Sequence, residues 1–323
     1  MKYRDRLMLP LLACLPLASR ASEAGGGWPT RAVRLVVPFS AGGATDSVAR
    51  LLANRLNAAW GQPVVVDNKP GSGTILGTDI VAKAPADGQT FGVVVSSHAI
   101  NPSLRSKLPY DTLRDFAPVS EVGVQHMVIA ANPALPANNL AELIALAKRQ
   151  PGKLSYGSPG TGTALHLGME LLKVKAGLDI LHVPYKGGAP AQQDVMGGQV
   201  PLLLDIYHSA APLIRSGRLK PIALLSPRRP PSIPDIPTVE ETVPGVSALS
   251  SIGIVAPAGT PGAVIHKASA DIAALLADKA FAQQFRDMGV DPVASTPEDF
   301  DRRIRADIAK WAPVVKSSGA TVD

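Results

Sequence analysis

Cysteine is nearly absent: Cys14 is the only one in 323 residues, and it lies in a stretch that reads as a removable leader. The mature chain is therefore expected to carry neither a disulfide frame nor a thiolate nucleophile. Aromatic residues amount to only 4%. The densest basic group, Arg228 and Arg229, sits among prolines with no aromatic neighbour on which a base could stack. Charge of one sign is also scarce. Of 32 Lys+Arg and 26 Asp+Glu, the first 24 residues hold Lys2, Arg4, Arg6 and Arg20 against Asp5 and Glu23, leaving 28 against 24. That excess is too small for a dedicated nucleic-acid binder, and no nucleic-acid partner is expected.

Chemical fingerprints are missing too. The histidines His98, His126, His166, His182, His208 and His266 are scattered, with no pair at metal-ligand spacing, so no metal is expected. Gly43 is followed by Ala44-Thr45 where a phosphate-binding loop needs Lys-Ser/Thr. Gly71, Gly73 and Gly77 give GxGxxxG and not the dinucleotide pattern, so no cofactor is expected. A nucleophile elbow around Ser158 would require glycine where Tyr156 stands.

The chain does have 46% hydrophobic residues, enough for two lobes with their own cores. Met1–Arg6 is short and basic, Leu7–Ala18 is apolar, and Ser19, Ala21, Ser22 and Ala24 are small, the three parts of a secretory signal over 1–24. The apolar run falls short of the roughly 20 residues that span a bilayer. Cleavage is expected after Ala21 or Ala24. Leu11-Leu12-Ala13-Cys14 offers an alternative, a lipoprotein box that would lipidate Cys14.

From Val33 onward, short β-branched runs alternate with glycine loops and segments of helical period, the pattern of βα units on a mostly parallel sheet. Strands are expected at 33–37, 64–66, 91–95, 154–156, 180–183, 200–205 and 222–225. Val48, Leu52 and Leu56 form one helical face that Gly61 ends. Further helices are expected at 74–84, 163–176, 189–196 and 209–216. Asn139 with Glu142 opens another. Thr260-Pro261 and Thr296-Pro297 read as helix starts at 261–276 and 297–317, with a shorter helix at 278–288 between them.

Two loops stand out. Pro38–Thr45 (PFSAGGAT) and Gly157–Thr163 (GSPGTGT) each join a buried strand to a long helix. Glycine permits close backbone approach, and free N–H groups at a helix start favour an anion. The same glycines could equally serve tight turns alone. His166, in the first turn after the second loop, could touch a carboxylate or hydrogen-bond the loop. Asp205 ends an apolar strand, where open sheets place ligands, or caps the next helix. Asp46 is expected to cap its helix or orient the first loop.

Taken in order, the segments WPTRAVRLVVPFSAGGATDSVARLLANRL, GQPVVVDNKPGSG, LPYDTLRDFAPVS, ELIALAKRQPGKLSYGSPGTGTALHLGMELL, HVPYKGGAPAQQDVMGGQV, IPDIPTVEE and APAGTP resemble the Bug-type extracytoplasmic solute receptors of tripartite tricarboxylate transporters. The resemblance runs from Trp28 to the end. It implies a two-lobed α/β periplasmic binding protein of Venus-flytrap type, each lobe a mostly parallel sheet flanked by helices, with no catalysis, cofactor or metal. A small carboxylate would be gripped by backbone N–H groups and waters of two glycine loops. On this sequence those positions are Ser40, Ala41, Gly42 and Gly43 in one lobe and Ser158, Gly160, Thr161, Gly162 and Thr163 in the other. Asp205 resembles the acidic residue that helps choose the ligand, and Asp46 and His166 would stand behind the loops. Ser40-Ala41 replace two prolines usual in that family, and Pro70-Gly71-Ser72-Gly73-Thr74 replaces PGAGG. Ser251 and Ile252 stand where an aromatic is usual.

The expected organisation is lobe 1 over 28–124 plus 252–323 and lobe 2 over 125–251, with crossings near 117–123 and 247–253. A monomer is expected, whose partners are a small organic carboxylate (dicarboxylate, acidic amino acid or aromatic acid) and the membrane permease. Two rivals are a secreted hydrolase using Ser158 with His166, and a ligand sensor for a membrane kinase. Export has a direct check: the intact mass of protein from its native host should correspond to a chain starting after Ala21 or Ala24. A chain retaining Met1 would refute export, and a diacylated Cys14 would make it a lipoprotein.

Overall fold

The computed structural model describes residues 27–320; the leader, its cleavage positions and Cys14 lie outside them. Strand β1 (Val33–Val37) leads into helix α1 (Ala44–Trp60), then β2 (Val64–Asn68), α2 (Ile75–Ala82), β3 (Thr90–Val95) and α3 (Ser97–Leu104). Val48, Leu52 and Leu56 of α1 are buried as the spacing predicts, and Gly61, at φ 63°, closes the helix. β4 (Phe116–Gln125) and β5 (Met127–Ala131) follow almost without a break. Next come α4 (Leu140–Arg149), β6 (Leu154–Ser158), α5 (Ala164–Ala176), β7 (Ile180–Pro184), α6 (Gly188–Met196), β8 (Leu202–Ile206), α7 (Tyr207–Arg215) and β9 (Lys220–Leu224). The chain ends with β10 (Ser250–Pro257), α8 (Gly262–Ala277), α9 (Lys279–Asp287), β11 (Asp291–Pro292) and α10 (Pro297–Ser318).

Two sheets result, ordered β11-β4-β10-β3-β1-β2 and β7-β6-β8-β5-β9. Each has three neighbouring parallel strands, β3-β1-β2 and β7-β6-β8, extended by antiparallel ones. The expectation of mostly parallel sheets is therefore corrected to mixed sheets, and connectivity gives the reason. β4 carries the chain out of the first sheet and β10 brings it back, so the two must run oppositely. The outward crossing falls at His126, not at 117–123, because β4 runs unbroken through that stretch. Pro118 and Gly123, which look like strand breakers, sit at register shifts against β10 that absorb them.

His126 also fastens the crossing. One ring nitrogen meets Ser226 Oγ at 2.7 Å and the other Asp291 Oδ2 at 2.8 Å, joining the second sheet's side to the edge of the first. This contact holds the Asp291 carboxyl below its usual range.

Helices pack on both sheets and build two main cores. The first joins β1, β3 and β10 to α1, α8 and α9. The second joins β5, β6 and β8 to α4 and α5, and it also takes Ile100 and Leu104 from α3 and Trp311, Val314 and Val315 from α10. The end of α10 thus packs into the second core, so this helix bridges the two. A helix of 22 residues is about 33 Å long, enough to reach from one core to the other. Among the described residues no helix is long and apolar enough to cross a membrane.

Trp311 is only 2% exposed, so Trp311→Ala is expected to cost about 3–5 kcal/mol, read from denaturant unfolding. A loss under about 1 kcal/mol would mean that α10 does not strap the lobes.

His98 makes a second test. It is buried against Phe116 and Tyr110, and neither ring nitrogen meets a protein partner. Burial pushes its pKa down to about 4, against 6.5 in the unfolded chain. As pH falls from 6.5 toward 4 the unfolded state takes up the proton first, so stability present at neutral pH is lost across that window. His98→Leu should keep or raise the neutral-pH melting temperature and flatten its decline between pH 6.5 and 4. An unchanged slope would show that His98 does not carry it.

Candidate functional site

The topology places the ligand region. Val95 at the carboxyl end of β3 pairs with Ile252 near the start of β10, and Ile206 at the end of β8 pairs with Met127 at the start of β5. The carboxyl ends of the parallel strands in both sheets therefore meet at the seam, and so do the N-termini of α1, α2, α3, α5, α6 and α7. Positive helix ends converge there without any cluster of basic side chains.

The first glycine loop is held from behind. Buried Asp46, in the opening turn of α1, accepts hydrogen bonds from Gly42 N–H (2.8 Å), Asn68 Nδ2 (2.8 Å) and Arg50 Nε (2.9 Å). Asn68 also donates to the Phe39 carbonyl. Burial alone would raise the Asp46 pKa, but these bonds and the Arg50 charge outweigh it and hold the carboxyl below its usual range. Of the expected residues, Ser40, Ala41, Gly42 and Gly43 are exposed on the rim, and the Gly42 N–H is already taken by Asp46.

The second loop is braced more deeply. Thr163 caps α5 by accepting His166 N–H and donates its own hydroxyl to the Gly160 carbonyl at 2.8 Å. Gly162, at φ 77°, donates its N–H to His166 Nδ1 at 3.1 Å. Ser158 is 0% exposed, and its Oγ meets His182 Nε2 at 2.7 Å and Gly160 N–H at 3.2 Å. The His166 and His182 rings stack at 3.9 Å. Burial first, and nearby Lys173 with it, pushes both pKa values down to about 4, so both rings are neutral at pH 7. A neutral ring is what lets His166 Nδ1 accept the Gly162 N–H.

The Ser158–His166 pair needed by a hydrolase does not form. Ser158 bonds His182 instead, and among the described residues no carboxylate hydrogen-bonds the other nitrogen of that ring. Asp205 is likewise turned inward. It accepts Gln192 Nε2 at 2.6 Å and its neighbour Ile206 N–H, and lies 3.2 Å from where a Gly188 Cβ would stand, under the start of α6. Burial raises its pKa against those bonds. Among the described residues no group of three metal-ligating side chains exists.

Between the lobes lies a cleft of about 250 Å³. Thr161, Gly162, Thr163, Ala164 and Leu165 form one wall; Phe39, Thr74, Ser96, Ser97, Asn101 and Arg105 form the other. The two sides approach closely at Gly162, where an added Cβ would stand 2.2 Å from Leu104 Cδ2. The first-turn N–H groups of Ala164 and Leu165 lack intrahelical partners and border this space. The expected residues split accordingly: Thr161, Gly162 and Thr163 line the cleft, whereas Ser40–Gly43, Ser158, Gly160 and Asp205 do not. Sequence reading missed Ser96, Ser97 and the face of α3. The available signal was a pair of hydroxyl residues directly after the buried strand 91–95, the position where open sheets bind ligands.

Comparison with known proteins identifies the family and the fold. The family model described as "Tripartite tricarboxylate transporter family receptor" (TctC) matches residues 48–320. The solved structure of Rpa4515 from R. palustris, determined with adipate, is 37% identical with a TM-score of 0.79, covering 91% of this chain and 100% of that one. The periplasmic binding protein BugD is 35% identical with a TM-score of 0.75, covering 91% of this chain and 99% of that one. MatC from Rhodopseudomonas palustris, determined with bound malate, is 30% identical with a TM-score of 0.74, covering 89% and 100%. The chain therefore belongs to the tripartite tricarboxylate transporter receptor family, as a two-lobed periplasmic solute-binding protein and not an enzyme.

Proposed function

We propose that this receptor captures a small organic carboxylate in the seam between its lobes and presents the closed form to the membrane permease of a tripartite transporter. The observation that supports this most is the composition of the cleft. Among the described residues no aspartate or glutamate lines it, while hydroxyls, an amide, one arginine and the opening turns of α3 and α5 do. Such a lining offers donors to an anion and nothing that repels it. Adipate on Rpa4515 and malate on MatC favour the same ligand class.

In this reading Thr161, Gly162 and Thr163 shape the anion site, Ser40–Gly43 close over it as a rim, and Asp46 and His166 hold the two loops. Asp205 acts through α6 on the ligand's far end. The receptor acts as a monomer of lobes 28–124 plus 252–323 and 125–251, tied by α10, after export directed by residues 1–24.

Charge is the discriminating variable. Calorimetry of the mature protein against an acid identified from a thermal-shift panel should show its amide or methyl ester binding at least about a hundredfold more weakly, roughly 2.8 kcal/mol. A true ligand at about 100 times its Kd adds roughly 2.7 kcal/mol, which the panel detects. Equal affinity for acid and amide would refute the anion site.

A further inference from the structure

The cleft is not a compact hole but a groove laid along α3. Ser97, Asn101, Leu104 and Arg105 recur on one helical face, and all four line it. Eight residues at 1.5 Å each separate Ser97 from Arg105 by about 12 Å along the helix axis. Ser97 stands at the opening turn of α3 and Arg105 at its close, and the loop 72–74 runs alongside: Thr74 Oγ1 lies 2.9 Å from Ser97 Oγ, and Asn101 Nδ2 donates to the Gly73 carbonyl at 3.3 Å.

Among the described residues Arg105 is the one charged side chain on this lining. Its Nη2 donates to the Ser72 carbonyl at 3.3 Å, its Nε is buried without a hydrogen-bond partner, and among the described residues no carboxylate pairs with it. A guanidinium that has lost part of its water and gained no counter-charge is unfavourable on its own. Its planar fork fits a carboxylate by two parallel hydrogen bonds.

The neighbouring loop is arranged around this group. Ser72, Gly73 and Thr74 all have positive φ, at 47°, 62° and 81°. For Ser72 and the β-branched Thr74 this is a strained conformation that the surroundings must impose. It turns the Ser72 carbonyl toward Arg105, and a Cβ on Gly73 would lie in van der Waals contact with Nη2 at 3.4 Å, which places the guanidinium directly against this loop.

We infer that Arg105 receives the second carboxylate of a short unbranched dicarboxylate whose first carboxylate lies at the opening turns of α3 and α5. The inference rests on the carboxylate-receptor reading and narrows it. Arg105 makes the receptor select dianions over monoanions of the same chain length.

Matched acids test it on the mature protein: adipate against hexanoate, and succinate against butyrate, measured by calorimetry for the wild type, Arg105→Gln and Arg105→Lys. The expected result is a preference of at least tenfold for the diacid of one pair. Arg105→Gln should abolish that preference by weakening the diacid at least tenfold, with the monoacid changed less than twofold. Arg105→Lys, which keeps the charge but loses the fork, should retain part of it and guards against a glutamine variant that does not fold. A diacid preference that survives in Arg105→Gln overturns the inference and leaves the receptor reading intact. Equal weakening of both acids reduces Arg105 to a prop for the loop at 71–74 and also overturns it. Binding of neither acid in either pair, with no other carboxylate bound, removes both readings together.

Discussion

The rest of the structure depends on one constraint: the chain leaves the first sheet at His126 and must return to it at β10. That requirement makes β4 and β10 antiparallel neighbours and brings the carboxyl ends of β3 and β8 to the same seam. Every helix that follows a parallel strand then opens toward that seam. Positive helix ends are thereby gathered at the seam without a cluster of basic side chains.

Much of the hydrogen bonding near the seam is spent internally. Asp46 takes the Gly42 N–H, His166 takes that of Gly162, and Ser158 takes that of Gly160. Loops braced in this way hold their shape before any ligand arrives, which lowers the ordering cost of binding. The donors left over are the first-turn N–H groups of the helices and the side chains of α3. The neutral state of His166 and His182 is part of the bracing, because a protonated His166 would have no lone pair for Gly162.

The two lobes are not independent bodies joined by strands alone. Leu104 of α3 reaches Gly162 across the seam, and Trp311 of α10 is embedded in the second core. Both contacts come from elements that belong in sequence to the first lobe. They bound the cleft, with the face of α3 along one wall and Arg105 at the end of that helix.

Local chemistry alone determined a large part of this protein. The faces of α1, α4 and α5, the glycine stops at Gly61 and Gly177, the caps at Asn139, Thr163 and Thr296, and the two strand-loop-helix sites all follow from neighbours within a few residues. Asp46 and His166 were legible as loop supports because each lies one turn into its own helix. What the sequence could not supply was long-range. β4 escaped notice because Pro118, Glu121 and Gly123 look like loop, and pairing with β10 holds them as strand, while β5 is held as strand by pairing with β8 and β9. Ser158 and Asp205 looked like ligand contacts because they end apolar strands, but which way a strand's last side chain turns depends on the helix packed above it. His182 met Ser158 through sheet register across 24 residues, and Arg105 reached the cleft because α3 lies against α5's lobe. Those placements were decided by tertiary packing, since burial and the satisfaction of polar groups are settled by partners far away along the chain.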